Sequence, residues 1–253
     1  MRFSFTAKTD IGNVKETNQD SLLVKYGMTS KAEVLMAIVC DGMGGLSKGE
    51  VASATVIKRF EQWFTEELPY ELEHLDLQVI GYKWSLLLKE LNMRISDYSK
   101  KLSVTMGTTF TGILFVNDDY ILVHVGDSRA YHIGQQAQQL TKDQTYIARE
   151  LERGTITPEQ AKIDKRRNML LQCVGASETL EPDIMFGKNE KGMYLLCSDG
   201  FRHEITLNEI RETLSFENNS STVDMDGNVL KLIELNKARQ ERDNISAILI
   251  KVG

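Results

Sequence analysis

The sequence predicts an α+β fold in which antiparallel sheet is covered by helices. Three observations point there. Short apolar runs rich in β-branched residues recur along the chain, many of them joined by hairpin-length turns. Two helical blocks stand apart from those runs. Strict strand–helix–strand alternation, the mark of a parallel sheet, does not occur. The pattern leaves one sheet or two equally open.

Residues 21–26 and 34–40 read as strands. Over 47–68 the period becomes helical, with Val51, Ala54, Ile57, Phe60 and Phe64 on one face. A second helical stretch covers 72–102 and carries Leu75, Val79, Leu86, Leu87 and Leu91, with Gly81 as its weak point. A meander follows: 108–116, a turn at Asn117-Asp118-Asp119, a return over 120–125, then 130–133. After Gly134-Gln135-Gln136 the chain extends again over 137–140. Residues 143–153 read as a short helix closed by Gly154. Residues 154–168 are polar and read as exposed and mobile. Late strands are expected at 194–197 and 245–252, and helices at 207–214 and 223–240.

The chain has 253 residues, 42% of them apolar, and only three prolines. No stretch resembles a linker, so residues 1–253 are expected to form one domain. A formal charge of -6 excludes a nucleic-acid surface, which needs a basic excess. No run of about 18 apolar residues offers a membrane span, and the first residues do not resemble a secretory signal. The three cysteines, Cys40, Cys173 and Cys197, form no CxxC pair. They read as small buried thiols, and a cytoplasmic location is the expectation.

Two segments share one design. The apolar run 37–40 delivers Asp41-Gly42, and 195–198 delivers Asp199-Gly200. Either pair alone is an ordinary turn. Three further aspartates also sit at strand junctions: Asp20 before the run at 21–26, Asp127 inside the meander, and Asp243 before the last strand. Carboxylates held together repel, and burying them unpaired is costly. A cluster of five therefore implies a cation. The four histidines are scattered and no His/Cys set has zinc spacing. Ligation by oxygen alone favours magnesium or manganese.

At this point the chain resembles the PPM family, the type 2C metal-dependent protein serine/threonine phosphatases, in its compact bacterial form. The resemblance runs through nearly the whole chain in the family's order. Its motifs are Gly12-Asn13-Val14-Lys15-Glu16-Thr17-Asn18-Gln19-Asp20, Asp41-Gly42-Met43-Gly44-Gly45, Gly107-Thr108-Thr109 and Val125-Gly126-Asp127-Ser128-Arg129-Ala130-Tyr131. Leu140-Thr141-Lys142-Asp143, Arg167-Asn168-Met169-Leu170, Cys197-Ser198-Asp199-Gly200 and Asp243-Asn244-Ile245-Ser246 follow.

The resemblance implies a four-layer α-β-β-α sandwich of two antiparallel sheets, with a flap at about 143–168; two readings of that segment stand open, a gate or selector of substrates and a solvated surface helix and loop. It implies two Mn2+ or Mg2+ ions. Asp41 would bridge them, the Gly42 carbonyl would bind the second, and Asp199 and Asp243 would bind the first. Asp20 would stand beside the cage, and Asp127 with Asp199 would make a third, looser site. The implied reaction is hydrolysis of phosphoserine and phosphothreonine in proteins by a metal-activated water. Implied partners are phosphoproteins and a cognate kinase, with the enzyme a monomer. Lys15 stands where relatives commonly have an arginine that holds the substrate phosphate; lysine keeps the charge but loses the bidentate fork. Met43 and Gln144 replace histidines found in some relatives, so no general acid is evident, and Met43 is expected to pack. The competing readings are a catalytically silent relative that binds phosphoproteins, and a non-enzymatic scaffold.

Overall fold

The computed structural model describes residues 2–43, 48–167 and 169–253. In chain order these form β1 (Phe3–Asp10), β2 (Ser21–Met28), β3 (Glu33–Cys40), β4 (Gly42–Met43), α1 (Gly49–Gln62), α2 (Leu68–Glu71) and α3 (Leu77–Leu102). Then come β5 (Gly107–Thr108), β6 (Phe110–Val116), β7 (Asp119–Val125), β8 (Arg129–Ile133), β9 (Ala137–Gln139), α4 (Tyr146–Glu152) and α5 (Pro158–Ile163). The chain closes with β10 (Asp183–Lys188), β11 (Gly192–Cys197), α6 (Leu207–Thr213), α7 (Thr222–Ala238) and β12 (Ile245–Val252).

Two five-stranded sheets result, in the orders β1-β12-β11-β8-β9 and β10-β7-β6-β3-β2. Every pairing within them is antiparallel. The reason for stacking is legible in β3. Its side chains alternate between faces, and both faces are apolar. Leu35, Ala37 and Val39 meet Tyr194, Leu196, Ile248 and Ile250 of the other sheet. Val34, Met36, Ile38 and Cys40 point outward, beneath α1 and α3. A strand buried on both faces needs a layer on each side. The second sheet repeats the arrangement, with Leu195, Cys197, Ala247 and Leu249 covered by α6 and α7. The molecule is thus the four-layer α-β-β-α sandwich.

The α3 layer is locked by aromatic rings. Trp84 meets Phe60, Trp63 and Phe110 edge to face at 5.0, 5.4 and 6.1 Å between centroids. Gly112 makes room for it, because a Cβ there would lie 2.6 Å from the Phe110 ring and 3.2 Å from Trp84.

Several elements differ from expectation. β1 and β10 were not foreseen: β1 mixes Phe3, Phe5 and Ala7 with polar residues, and β10 is a half-exposed edge strand. The helix expected at 47–68 starts at Gly49, Ser47 lying outside the described residues, and passes through a π-helical turn over Trp63–Glu67. The stretch 72–102 breaks at Leu75. Asp76 then caps α3, its carboxylate accepting from the Gln78 and Val79 N–H groups at 2.8 and 3.2 Å. The polar stretch after Gly154 contains α5, started by Pro158 and a capping box between Thr157 and Gln160.

Trp84→Ala empties the aromatic cluster beneath α3. It should cost about 3–5 kcal/mol of unfolding free energy, read from urea denaturation. A loss below about 1 kcal/mol would show that α3 does not depend on this contact.

Candidate metal centre and active site

The strand ends explain why distant aspartates meet. Asp20 precedes β2 and Asp41 joins β3 to β4. Asp127 lies in the bend between β7 and β8, Asp199 opens the turn after β11, and Asp243 precedes β12. Asp41 feels the negative charge of the other four, so both sheets deliver their aspartates to one neighbourhood. Backbone contacts tie the strand ends together. The Gly42 N–H donates to the Gln19 carbonyl at 3.2 Å, and the Thr109 N–H to the Asp41 carbonyl at 2.8 Å. The Gln19 N–H donates to Asn244 Oδ1 at 2.9 Å, while Asn244 Nδ2 donates to the Ile11 and Thr17 carbonyls.

The glycines after Asp41 and Asp199 are needed for close approach. A Cβ on Gly42 would sit 2.4 Å from the Gly49 carbonyl oxygen and 2.5 Å from that of Gln19. A Cβ on Gly200 would sit 2.2 Å from the Asn244 carbonyl oxygen. Neither position has room for a side chain, whatever its backbone angles. Gly44 and Gly45 lie outside the described residues, as does Asn168.

The carboxylates are electrostatically strained. Burial pushes Asp20 up to about 7, aided by Asp199 and Asp243 and opposed by the hydroxyls of Ser246 and Ser198. Burial and then Asp20, Asp199, Asp127 and Asp243 hold Asp41 well above the usual carboxylate range. Burial and Asp199 raise Asp127 to about 7 against the pull of Arg202. Asp20 Oδ2 and Asp199 Oδ1 are buried without a hydrogen-bond partner. Orphaned, mutually repelling oxygens fit a divalent cation. Among the described residues, no three His, Cys, Asp or Glu side chains already converge as a ready cage.

A cleft of about 900 Å3 opens beside these aspartates, lined by Lys15, Asp127, Arg129, Arg202, His203 and Asp243 among others. Lys15 Nζ lies 2.7 Å from Asp243 Oδ1. Burial pulls its pKa down, but Asp243, Asp41 and Asp199 outweigh that and raise it. Arg129 grips Asp143 with two bonds, at 2.7 and 2.6 Å. Burial alone would raise Asp143; the Arg129 and Arg202 guanidiniums hold it below the usual range. Arg202 also donates to the Asp127 carbonyl at 2.9 Å. These arginines tie the start of the 143–168 segment to the strand ends.

Three neighbours of the site escaped the sequence reading. Arg202 and His203 follow Asp199-Gly200 after one residue, Phe201, and that proximity was the available signal. His203 Nε2 lies 3.5 Å from Asp199 Oδ2 and its Nδ1 3.4 Å from Glu241 Oε2. Glu241 in turn accepts the Asp243 N–H at 2.9 Å. Gln144 serves a scaffolding contact: its Oε1 accepts from the Gly126 N–H and its Nε2 donates to Asp183, both at 2.8 Å. Met43, expected to pack, is 39% exposed. All three cysteines are buried and free. Burial pushes Cys40 well up and Cys197 to about 12, so neither supplies a thiolate nucleophile near neutral pH.

The strain on Asp20 gives stability a pH dependence. Its folded value of about 7 exceeds the unfolded value of about 3.9. The folded state therefore holds an extra proton between those values, and the associated stability falls as pH rises through 7. With a chelator present, Asp20→Asn should gain on wild type by on the order of 2 kcal/mol between about pH 5 and about pH 8. Parallel urea-unfolding curves for the two proteins across that range would refute the strain.

Known proteins resemble this chain in fold and sequence. Residues 13–240 match the family described as protein phosphatase 2C. The serine/threonine protein phosphatase PstP of Mycobacterium tuberculosis is 30% identical over 98% of this chain, which spans only 45% of that protein's length. A protein phosphatase 2C-type protein of Streptococcus pyogenes is 32% identical over 96% of this chain and 95% of its own. The crystal structure of the PstP catalytic domain in complex with two manganese ions superposes with a TM-score of 0.79, at 29% identity, covering 99% of this chain and 98% of that one. The chain belongs to the protein phosphatase 2C family.

Proposed function

We propose that this chain hydrolyses phosphoserine and phosphothreonine in proteins with the help of two Mn2+ or Mg2+ ions. One observation carries the reading: five aspartates from separate strand ends lie within electrostatic reach of one another, two of them on the cleft wall, and two keep buried oxygens with no partner. Asp41, the Gly42 carbonyl, Asp199 and Asp243 would hold the ions, with Asp20 alongside and Asp127 completing a third, weaker position with Asp199. When bound, such ions supply an acidified water and positive charge for the phosphoryl oxygens.

The chain's own residues supply the rest. Lys15 presents an ammonium at the cleft, where a phosphate monoester needs a counter-charge. Arg202 and Arg129 fix Asp127 and Asp143, so the metal-facing side and the 143–168 flap keep one relative position. The flap, with α4 and α5, forms one wall of the cleft through Thr145, Ile147, Ala148 and Leu151 and is suited to sorting phosphoprotein substrates. A cognate serine/threonine kinase would supply those substrates. No described helix is long and apolar enough to cross a membrane. Three buried free thiols suit the reducing cytoplasm.

With manganese, the protein should hydrolyse p-nitrophenyl phosphate and phosphoserine or phosphothreonine peptides. Asp41→Asn or a chelator should remove several kcal/mol of barrier lowering, a loss of roughly 1000-fold in kcat/KM. Undiminished turnover in either case would overturn the metal assignment. No turnover by wild type would favour the silent, phosphoprotein-binding alternative.

Lys15→Arg restores the bidentate fork and should lower KM for a phosphopeptide about fivefold, worth about 1 kcal/mol, with kcat little changed. An unchanged or higher KM would remove Lys15 from the phosphate-binding role.

A further inference from the structure

Arg202 is a cation enclosed beside the acidic cluster. It follows the short turn Asp199–Phe201, and its own N–H donates to the Asp199 carbonyl at 3.0 Å. Phe201 is fully buried, and Asn236 Nδ2 donates to its carbonyl at 2.9 Å. The turn is thereby fixed, and Asp199 and Arg202 leave it at a set separation. The Arg202 side chain is only 13% exposed.

Its guanidinium faces two carboxylates. Nη2 donates to the Asp127 main-chain carbonyl at 2.9 Å and lies 3.9 Å from Asp127 Oδ2. The same nitrogen lies 3.6 Å from Asp143 Oδ2. Asp143, however, is already neutralised by the two bonds from Arg129. The positive charge of Arg202 is left over for Asp127. Among the described residues, Arg202 is the one Lys, Arg or His within ion-pair distance of the Asp127 carboxylate. Arg202 Nε is buried without a partner, a cost that a residue kept only for packing would not carry.

The metal assignment above gives Asp127, with Asp199, a third and weaker position. Resting on that assignment, we propose that Arg202 is what makes the position weak: its guanidinium is a tethered cation that holds Asp127 in place of a third divalent ion. An ion arriving at Asp127 must share a carboxylate with a guanidinium or push it out. An opposite charge about 4 Å away changes a carboxylate's affinity for a proton by roughly 10- to 1000-fold. A divalent ion carries twice the charge of a proton, so its affinity for Asp127 should fall by at least about tenfold. The protein then fills its pair of ions and stops, at manganese concentrations where an Asp127 without Arg202 takes up a third.

Manganese binding to the full chain tests the proposal. Titration with Mn2+ alone through the millimolar range, with free ion read by electron paramagnetic resonance, counts the bound ions. Wild type should bind two ions well before any third. Arg202→Gln removes the charge but keeps a donor for the Asp127 carbonyl. It should tighten the third ion at least about tenfold, and by more than it tightens the pair. Arg202→Lys keeps the charge and should stay close to wild type. Adding Asp127→Asn to Arg202→Gln should abolish the gained ion. Asp127→Asn alone, which does not depend on Arg202→Gln folding, should leave the pair bound.

Three ions of like affinity in wild type overturn the proposal. So do two ions in both wild type and folded Arg202→Gln, a third ion bound as tightly by Arg202→Lys as by Arg202→Gln, or loss of one of the pair in Asp127→Asn. Each of these leaves the two-ion reading standing. Wild type that binds no manganese overturns that reading as well.

Discussion

The constraint on which the rest of the structure depends is mutual repulsion among carboxylates held where water cannot screen them. Asp20, Asp41 and Asp127 each sit far from their comfortable ionised state, and burial is the first cause in every case. A fold bears that cost only if something else holds the strand ends in place. Here the two-faced apolar strands supply the hold: β3 is sealed into two cores at once. The sandwich is therefore more than a platform. It is the spring against which the acidic cluster is compressed, and a cation would relieve the compression.

The surroundings of the cluster divide the work by chemistry. Backbone groups and Asn244 set the spacing of the strand ends, through bonds that do not change with protonation. Arginines set the orientation of the segment that follows Asp143, through paired charged bonds. Lys15 and His203 touch aspartates from the cleft side. The two thiols beside the aspartates stay protonated, so the reactive character of the cleft comes from oxygen and positive nitrogen.

Much of this was legible in the amino-acid order, because strands that end in Asp-Gly announce both a buried run and its exit. The unbroken apolar run of β3 and the helical periods of α1 and α3 were equally plain. β1 and β10 were not: each lies at a sheet edge, where half-exposure blurs the apolar pattern that interior strands display. The break before α3 was hidden because Leu75 keeps the helical period while Asp76 interrupts the backbone. The capping box at Thr157 was in view and went unused behind the polar composition of its surroundings. At the site, the aspartates were found from their positions in the chain, whereas Arg202, His203 and Glu241 gain meaning only when the turn after β11 is folded against the turn before β12.

The glycines at 42 and 200 bear on how the protein can change. Main chain there rests directly on main chain, with no side chain between to trim, lengthen or repack. Drift and engineering can therefore reshape the helices, the cleft wall and the outer surface piecemeal, one residue at a time. The junctions beneath the acidic cluster offer no such gradual route, and they divide the molecule into a fixed frame and an adaptable exterior.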